Sequence, residues 1–427
     1  MTKAGYRLYL VGGVVRDGFL GRSFEKGAAD LDCTTDATPT EVLHIIAPVA
    51  SVVWTQGQQF GTIGCMVDGQ SFEITTHRAD SYTSASRKPE VRFGSDIIED
   101  LRRRDFTVNA IAVDCVDGRI IDPCGGRQDL DSKVLRTPLG PHISFTEDPL
   151  RMLRAARFIA GYNLKPLQSL TEAVVSLSDR LDIVAMERIR DELQKLLLLD
   201  NPVAGMDFLA HTGLLPRLLP EVTSLGGQDG SVEGSRFHAT IANIVAAVKP
   251  ELDLRWAALL AAVPTLQAVE RLLAFRVPSA LTKSVEGLLK GLELLKSSSH
   301  SKSDVRRLAH ICGVDADRVV NLARTLATCR DSSHPQVVFQ DYPLEKVDRF
   351  ENTLRLLRQN ENLECLASPL TGTQIMKVLG IPQGPQVGRA LAFLQELAFD
   401  DGPLTIQEAT TALLGWQGRQ ISQARKT

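Results

Sequence analysis

Residues 8–35 have the sequence LYLVGGVVRDGFLGRSFEKGAADLDCTT, and this stretch decides the fold of the first part of the chain. An apolar run ends in Gly12 and Gly13, and Asp30 and Asp32 follow at alternate positions. Aspartate is a poor strand former, and residues two apart on a strand project from the same face. Because adjacent carboxylates repel each other, the pattern predicts a divalent cation between Asp30 and Asp32.

Magnesium suits such a site because it binds oxygen ligands and keeps positions for water and phosphate. Glu73, on a neighbouring predicted strand, is the candidate third carboxylate of a two-metal site. An alternating aspartate pair alone is more typical of a polar strand edge or a turn. The glycine pair favours phosphate binding, since glycines let the backbone approach a phosphate and Arg16 can pair with its oxygens. A phosphate cradle followed by such a strand is the arrangement of the polymerase-β-type nucleotidyltransferases.

Composition sets the class of protein. The chain has 427 residues, 44% hydrophobic and 23% charged, with a net charge of −3. No segment has the roughly 18 to 20 apolar residues that a membrane span needs, and the N-terminal apolar run predicts a strand rather than a signal peptide. Seven cysteines are scattered without a C-x-x-C pair, which argues against disulfides and structural zinc. We therefore expect a soluble, cytoplasmic protein with no membrane partner.

The pattern of secondary structure changes once along the chain. Up to about residue 137, β-type runs alternate with turns and helices, and nearly every later segment has helical spacing. The strand candidates are RLYLVGG, DLDCTT, TIGCMVDG, SFEITTH and GRIIDPCGG, with PTEVLHIIAPVA as a helix between them.

Seven motifs occur in a fixed order: LVGGVVRDGFLG, ADLDCTTDATP, FEITTHRADSYTSASRKPEV, DLRRRDFTVNAIAVD, DPCGGRQDLDSKVLRTP, FTEDPLRMLRAARF and ERIRDELQKLL. They resemble the motifs of the bacterial class II CCA-adding tRNA nucleotidyltransferases, which are related to poly(A) polymerases. The resemblance covers about residues 7–220 and returns in LTGTQIMKVLGIPQGPQVGRALAFLQEL near the C-terminus. It implies an α+β fold: a polymerase-β-like nucleotidyltransferase head, with a mixed sheet and helices, followed by an all-α neck, body and tail.

The resemblance also implies four domains. They are a catalytic head at 1–137, a helical neck with nucleotide-base recognition at 138–230, a helical body at 231–366 and a tRNA-binding helical tail at 367–427. Many relatives carry a metal-dependent HD phosphohydrolase domain after the neck. Here LRWAALLAAV places Ala261 and Ala262 where the His and Asp ligands would stand, and alanine cannot bind a metal. We expect a degenerate HD-like region without hydrolase activity.

The resemblance assigns roles to matched residues of the head. Asp30 and Asp32 would hold the catalytic Mg²⁺, and Gly13 and Arg16 would contact the phosphates of the incoming nucleotide. The segment from 81 to 92 would be the flexible loop that switches from C to A addition.

Arg104 in RRRDFTVNA resembles the family's ribose and nucleotide contact, with Asp105 as its partner. Without the resemblance, an ion pair at a helix start, worth at most about 1 kcal/mol if exposed, would account for both residues.

The EDPLRMLRAARF segment carries the predicted base recognition. Pro149 fits the first turn of a helix, along which Arg151, Arg154 and Arg157 recur every three residues as further nucleotide-binding candidates. By resemblance, Asp148 and Arg151 face the Watson–Crick edge of the base. A carboxylate can accept from the exocyclic amine that cytosine and adenine share and uracil lacks, and a guanidinium can donate to the adjacent acceptor. Helix N-capping is the alternative for Asp148, and both roles can hold together.

The implied reaction transfers nucleoside monophosphates from CTP and ATP to the 3′ hydroxyl of tRNA, with release of pyrophosphate. One Mg²⁺ would lower the pKa of the hydroxyl and another would neutralise charge on the triphosphate. The acceptor stem and 3′ end would be bound by shape and backbone, and no DNA partner is expected. Addition of CC only, of A only, or of poly(A) shares these motifs and stays open. A non-catalytic RNA-binding protein, or transfer to a small molecule, fits the intact acidic and arginine motifs and the helical remainder less well.

Overall fold

A computed structural model describes residues 1–22, 30–77, 94–226, 232–299, 301–312, 315–329, 342–363, 366 and 368–424. The loop predicted at 81–92 lies outside these residues. The chain contains two compact units, Met1–Leu218 and Leu219–Thr427. Their boundary falls inside the span predicted as the neck, and the four-domain division stays a prediction. No helix in the described part of the chain is long and apolar enough to cross a bilayer.

A seven-stranded sheet forms the centre of the first unit. Its strands are β1 (Leu8–Val11), β2 (Leu31–Thr35), β3 (Val52–Trp54), β4 (Thr62–Val67), β5 (Gln70–Thr76), β6 (Ala112–Asp114) and β7 (Ile120–Ile121). Their order is β3-β4-β5-β2-β1-β6-β7. Strands β2 and β5 pair in parallel and the other neighbours are antiparallel. The predicted mixed sheet is confirmed.

The first unit also contains ten α-helices within its described residues. They are α1 (Gly13–Phe19), α2 (Pro39–Ile46), α3 (Ile97–Arg102), α4 (Gly126–Asp131), α5 (Pro141–Glu147), α6 (Leu150–Tyr162), α7 (Gln168–Leu177), α8 (Met186–Leu197), α9 (Val203–His211) and α10 (Leu214–Leu218). Helix α6 follows Pro149 directly and packs against α8 and α9. A short strand β8 (Val134–Leu135) pairs in parallel with β9 (Lys165–Pro166), so the region predicted as an all-α neck also contributes one strand.

The two faces of the sheet pack against different cores. On one face, Cys33 and Ile74 pack with Val42 of α2. On the other face, Tyr9 and Leu101 belong to a core built from β1, β6 and α3. Because side chains alternate along a strand, the neighbours of the first core residues, Asp32 and Glu73 among them, project from the second face.

The second unit is helical throughout its described residues. Its helices are α11 (Pro220–Thr223), α12 (Val232–Ala247), α13 (Leu252–Leu260), α14 (Thr265–Ala274), α15 (Ser279–Ser297), α16 (Lys302–Cys312), α17 (Ala316–Thr328), α18 (Leu344–Asn360), α19 (Gly372–Leu379), α20 (Pro385–Asp401) and α21 (Ile406–Ala424). Thr371 and Gln374 form a capping box that starts α19. Ile375, Leu394 and Leu413 bring α19, α20 and α21 together in one apolar cluster.

Candidate active site

The turn between β1 and α1 brings bare backbone close to two charged side chains. Gly12 has a φ of 70°, which favours glycine. A Cβ atom at Gly12 would lie 3.3 Å from Oδ2 of Asp32 and 3.4 Å from Nη1 of Arg104. The close backbone approach predicted from the glycine pair is therefore present, and Gly13 follows as the first residue of α1.

The predicted acidic residues share one face of the sheet. Asp32 and Glu73 lie in register on β2 and β5, and Asp30 precedes β2 directly. Partial burial raises the pKa of Asp32; Arg104 opposes this shift, and the negative charge of Asp30 adds to it. Burial, Asp32 and Asp30 raise the pKa of Glu73 in the same way. The carboxyl groups are thus electrostatically coupled.

This acidic face fits a divalent cation. Asp30 and Asp32 both reach solvent and offer oxygen ligands. A cation would offset the burial and the negative charge of Asp30 that raise the pKa of Asp32. Among the residues that the structure describes, no group of three or more His, Cys, Asp or Glu side chains is arranged to hold a metal. Glu73 therefore lies on the predicted face without completing a three-ligand cluster, and its role as a ligand stays a prediction.

Arg16 is buried, with 6% of its surface exposed. It donates to Oδ1 of Asn109 at 2.6 Å, to Oδ1 of Asp17 at 2.9 Å and to the hydroxyl of Tyr162. Its guanidinium carbon lies 4.1 Å from the centre of the Tyr162 ring. Because all three guanidinium nitrogens contact protein groups, Arg16 links α1 to α6 in this conformation. These bonds use three of the five N–H donors of the guanidinium, and the contact of Arg16 with phosphate stays a prediction.

Asp100 is fully buried and joins two arginines. Its Oδ1 accepts from Nε and Nη2 of Arg103 at 3.0 and 2.7 Å, and its Oδ2 accepts from Nη2 of Arg104 at 3.2 Å. Arg104 thus extends from Asp100 to Gly12. The predicted pairing of Arg104 with Asp105 was wrong, because Asp100, four residues earlier, presents its carboxylate on the same side.

Asp105 pairs instead with Arg154 of α6. Its Oδ2 accepts from Nε and Nη2 of Arg154 at 2.8 and 2.5 Å, and its Oδ1 accepts from the backbone of Phe106 and the amide of Asn109. Burial alone would raise the pKa of Asp105, but the charge of Arg154 and these hydrogen bonds lower it to about 2. The pair is ionised at neutral pH and fixes the RRRDF segment to α6.

Glu192 of α8 forms ion pairs with two arginines of the row on α6. Nε of Arg157 lies 2.7 Å from its Oε2, and Nη1 of Arg154 lies 3.4 Å from its Oε1. The predicted row of arginines is therefore present. Its later members contact α8, and Arg157 also lies over the ring of Phe158 at 4.9 Å.

Asp148 uses its two carboxylate oxygens differently. Oδ1 accepts from the backbone N–H of Leu150 at 3.2 Å, as a capping residue would, and Oδ2 accepts from Nη2 of Arg188 at 3.0 Å. Arg188 is 55% exposed. One oxygen thus caps the start of α6, and the other binds the long, exposed side chain of Arg188.

Arg151 is held in one orientation by the protein. Its Nη1 donates to Oγ of Ser144 at 2.9 Å and its Nη2 donates to the carbonyl of Arg103 at 2.8 Å. Glu147, four residues earlier, lies 3.3 Å from Nη1. These contacts fix the guanidinium of Arg151, which lies in the first turn of α6, three residues after Asp148.

An open pocket of about 330 Å³ brings most of these side chains together. Five predicted residues line it: Arg104, Asp105, Asp148, Arg151 and Arg154. The other three predicted nucleotide-binding residues, Gly13, Arg16 and Arg157, do not, and neither do the predicted metal ligands Asp30, Asp32 and Glu73. The sequence analysis missed Thr75, Arg103 and Arg188, although Arg188 lies in the motif ERIRDELQKLL. Thr75 is two residues beyond Glu73 on β5, so the pocket opens beside the acidic face.

Comparison with known proteins defines the class first. A family model for the poly(A) polymerase head domain matches residues 8–136, and one for a probable RNA and SrmB-binding site of polymerase A matches residues 165–225. Together with the glycine turn, the acidic face and the arginine-lined pocket, these matches define the protein as a nucleotidyltransferase with a poly(A) polymerase type of head.

Relatives then define the family. The CCA-adding enzyme of Geobacillus sp. (strain WCH70) is 30% identical over 401 residues, which cover 92% of this chain and 89% of the relative. That of Bacillus subtilis (strain 168) is 40% identical over 200 residues, 46% of this chain and 48% of the relative. The crystal structure of the Bacillus stearothermophilus CCA-adding enzyme in complex with CTP matches with a TM-score of 0.70 and 25% identity, and the match covers 100% of this chain and 96% of that one. The chain belongs to the CCA-adding enzyme family, which uses a divalent metal ion.

Proposed function

We propose that this protein adds C, C and A to the 3′ end of tRNA from CTP and ATP, with release of pyrophosphate. Membership of the CCA-adding enzyme family supports this reaction. The observation that carries it is the pocket lined by Asp148, Arg151 and Arg104. Arg104 and Asp32 both lie beside Gly12, so this pocket is next to the acidic face. A base-recognition pair, cationic groups for phosphates and metal-binding carboxylates are the three parts that such a transfer needs.

Asp148 and Arg151 would recognise the base. A carboxylate has about four lone-pair positions, and the bonds to Leu150 and Arg188 use two of them. Asp148 can therefore accept from the exocyclic amine of cytosine or adenine. Arg151, fixed by Ser144 and by the carbonyl of Arg103, would donate to the neighbouring ring nitrogen or carbonyl.

Arg104 would contact the triphosphate and ribose. Its Nη1 lies beside Gly12, where the backbone carries no side chain, so a phosphate can approach the turn and the guanidinium together. Asp105 and Arg154 would act in support, because their buried pair fixes the segment that presents Arg104.

Asp30 and Asp32 would hold Mg²⁺, with Glu73 as a candidate third ligand on the same face. When bound, Mg²⁺ lowers the pKa of the attacking hydroxyl and neutralises charge on the triphosphate. Asp32 would hold the cation beside the glycine turn, because its Oδ2 adjoins Gly12.

The proposed partner is tRNA, bound through its acceptor stem and 3′ end. The match to an RNA-binding model at 165–225 supports an RNA substrate. A cytoplasmic location is consistent with the free state of the six cysteines in the described residues.

The test is incubation of the purified protein with a tRNA transcript that ends at the discriminator base, together with labelled CTP and ATP. We expect two C residues and then one A, with no further addition. Addition that stops after CC, adds A only to a CC end, or continues as poly(A) would assign one of the related activities instead. Binding of tRNA without any incorporation would contradict the proposal.

A further inference from the structure

A row of residues crosses four neighbouring strands of the sheet and includes two carboxylates of the candidate active site. Trp54 on β3 pairs with Gly64 on β4, Gly64 pairs with Glu73 on β5, and Glu73 pairs with Asp32 on β2. Paired residues on neighbouring strands project from the same face of a sheet. Trp54 therefore lies on the same face as Asp32 and Glu73.

Gly64 makes room for the indole ring of Trp54. A Cβ atom at Gly64 would lie 1.8 Å from Nε1 and 2.0 Å from Cε2 of Trp54, so no other residue fits beneath the ring. Gly64 is buried as a result, although Trp54 itself stays partly exposed. The indole thus rests on the backbone of β4 and extends from β3 towards Glu73.

The ring and the acidic face lie close enough for one nucleotide to contact both. Neighbouring strands lie about 4.8 Å apart, so Gly64, two strands from Asp32, is about 10 Å away from it. A nucleotide whose 3′ hydroxyl lies at the metal-binding carboxylates has its own base within this distance, and the indole over Gly64 extends from β3 towards that position. The pocket around Asp148 is reached in another direction, along β5 through Thr75, so a base on Trp54 would not compete for it.

We propose that Trp54 is a stacking platform for the terminal base of the RNA strand that is being extended. This inference rests on the proposed function, because that function places the 3′ hydroxyl of the RNA at Asp30 and Asp32. Stacking on an aromatic ring accepts any base, since every base has a π-face. Such tolerance suits a strand whose last base changes with each addition, from the discriminator to C and then to C again.

The first test compares variants by kcat/KM for tRNA at saturating CTP. We expect Trp54→Ala to lower it on the order of tenfold, the typical worth of one stacked base, while Trp54→Phe restores most of the loss. Gly64→Ala keeps the indole but displaces it, so it should reproduce the loss. Val53→Ala is the matched control, because Val53 lies on the same strand and projects from the opposite face. Wild-type efficiency in both Trp54→Ala and Gly64→Ala would overturn the inference.

A second test uses modified RNA and does not depend on variant stability. A tRNA whose 3′-terminal nucleotide is abasic should be extended about tenfold less efficiently by the wild-type protein than intact tRNA. Trp54→Phe should lower the efficiency on abasic tRNA by no more than it lowers the efficiency on intact tRNA. A terminal 2-aminopurine should be quenched on binding to the wild type. This binding signal requires no nucleotide addition, so it tests stacking on Trp54 even if the protein does not extend tRNA. Failure to extend tRNA would contradict only the proposed function. Unquenched 2-aminopurine in a wild-type complex would overturn the platform.

Discussion

At the scale of single residues, a substitution of Asp148 can distinguish base recognition from helix capping. Asparagine at this position would still accept the N–H of Leu150, but it would lose the charge that faces Arg188 and the amine of the base. We predict that Asp148→Asn lowers the preference for CTP and ATP over UTP on the order of tenfold, as expected for one lost base contact. Arg151→Ala should have an effect of similar size. The measurement is kcat/KM for each nucleotide on the matching tRNA end.

The melting temperature is the control for this comparison. A stable Asp148→Asn variant with wild-type selectivity would reduce Asp148 to a helix cap and leave base recognition to other residues.

Asp100 offers a second test at the residue scale. Because its buried carboxylate holds Arg103 and Arg104, Asp100→Asn should destabilise the first unit by about 3 kcal/mol. It should also raise the KM for CTP, since Arg104 loses the partner that directs it to Gly12.

Asp129→Asn is the matched control for Asp100. Asp129 is also buried and paired with an arginine, but this partner, Arg136, does not line the pocket, whereas Arg103 and Arg104 do. We expect the control to lose stability and keep its KM for CTP. An equal rise of KM in both variants would show that Asp100 acts on the fold alone.

At the scale of elements, the role of the turn after β1 can be tested by adding a side chain at Gly12. Gly12 and Gly5 both have positive φ angles, 70° and 87°, so alanine is strained at either position. A Cβ atom at Gly5 meets nothing within 4 Å, whereas one at Gly12 approaches Asp32 and Arg104. We predict that Gly12→Ala loses nucleotide incorporation and that Gly5→Ala retains it. Single-turnover incorporation of CMP is the measurement, and equal loss in both variants would indicate backbone strain alone.

The elements also show what the sequence could predict. The patterns that give β1, β2, β4, β5, β7 and the capped helix α2 are local, and all six were predicted. Strands β3 and β6 have three residues each and were missed, whereas the shorter β7 was predicted because glycines and a proline mark turns on both sides of it. The same limit affects the site: Asp105 lies 49 positions from Arg154, and no local signal marks that pair.

At the scale of the whole molecule, the helical second unit raises the question of phosphohydrolase activity. Ala261 follows α13 directly, in the segment that the sequence analysis predicted to be a degenerate HD-like region. We predict that the protein has no phosphatase or phosphodiesterase activity on nucleotide and phosphoester substrates with added divalent metals. Metal-dependent hydrolysis that persists in Asp30→Ala would contradict the assignment of this region as degenerate.

The central claim is that nucleotide addition to tRNA takes place at the carboxylates beside the glycine turn. Its most direct test is the amount of CMP and AMP that wild type, Asp30→Ala and Asp32→Ala incorporate into tRNA lacking its CCA end, with tRNA binding measured alongside. We predict a complete CCA end from the wild type and no incorporation by either variant, because each would lose a proposed oxygen ligand of the cation. We expect tRNA binding to be largely retained in both variants. Near-wild-type incorporation by both variants would contradict the account.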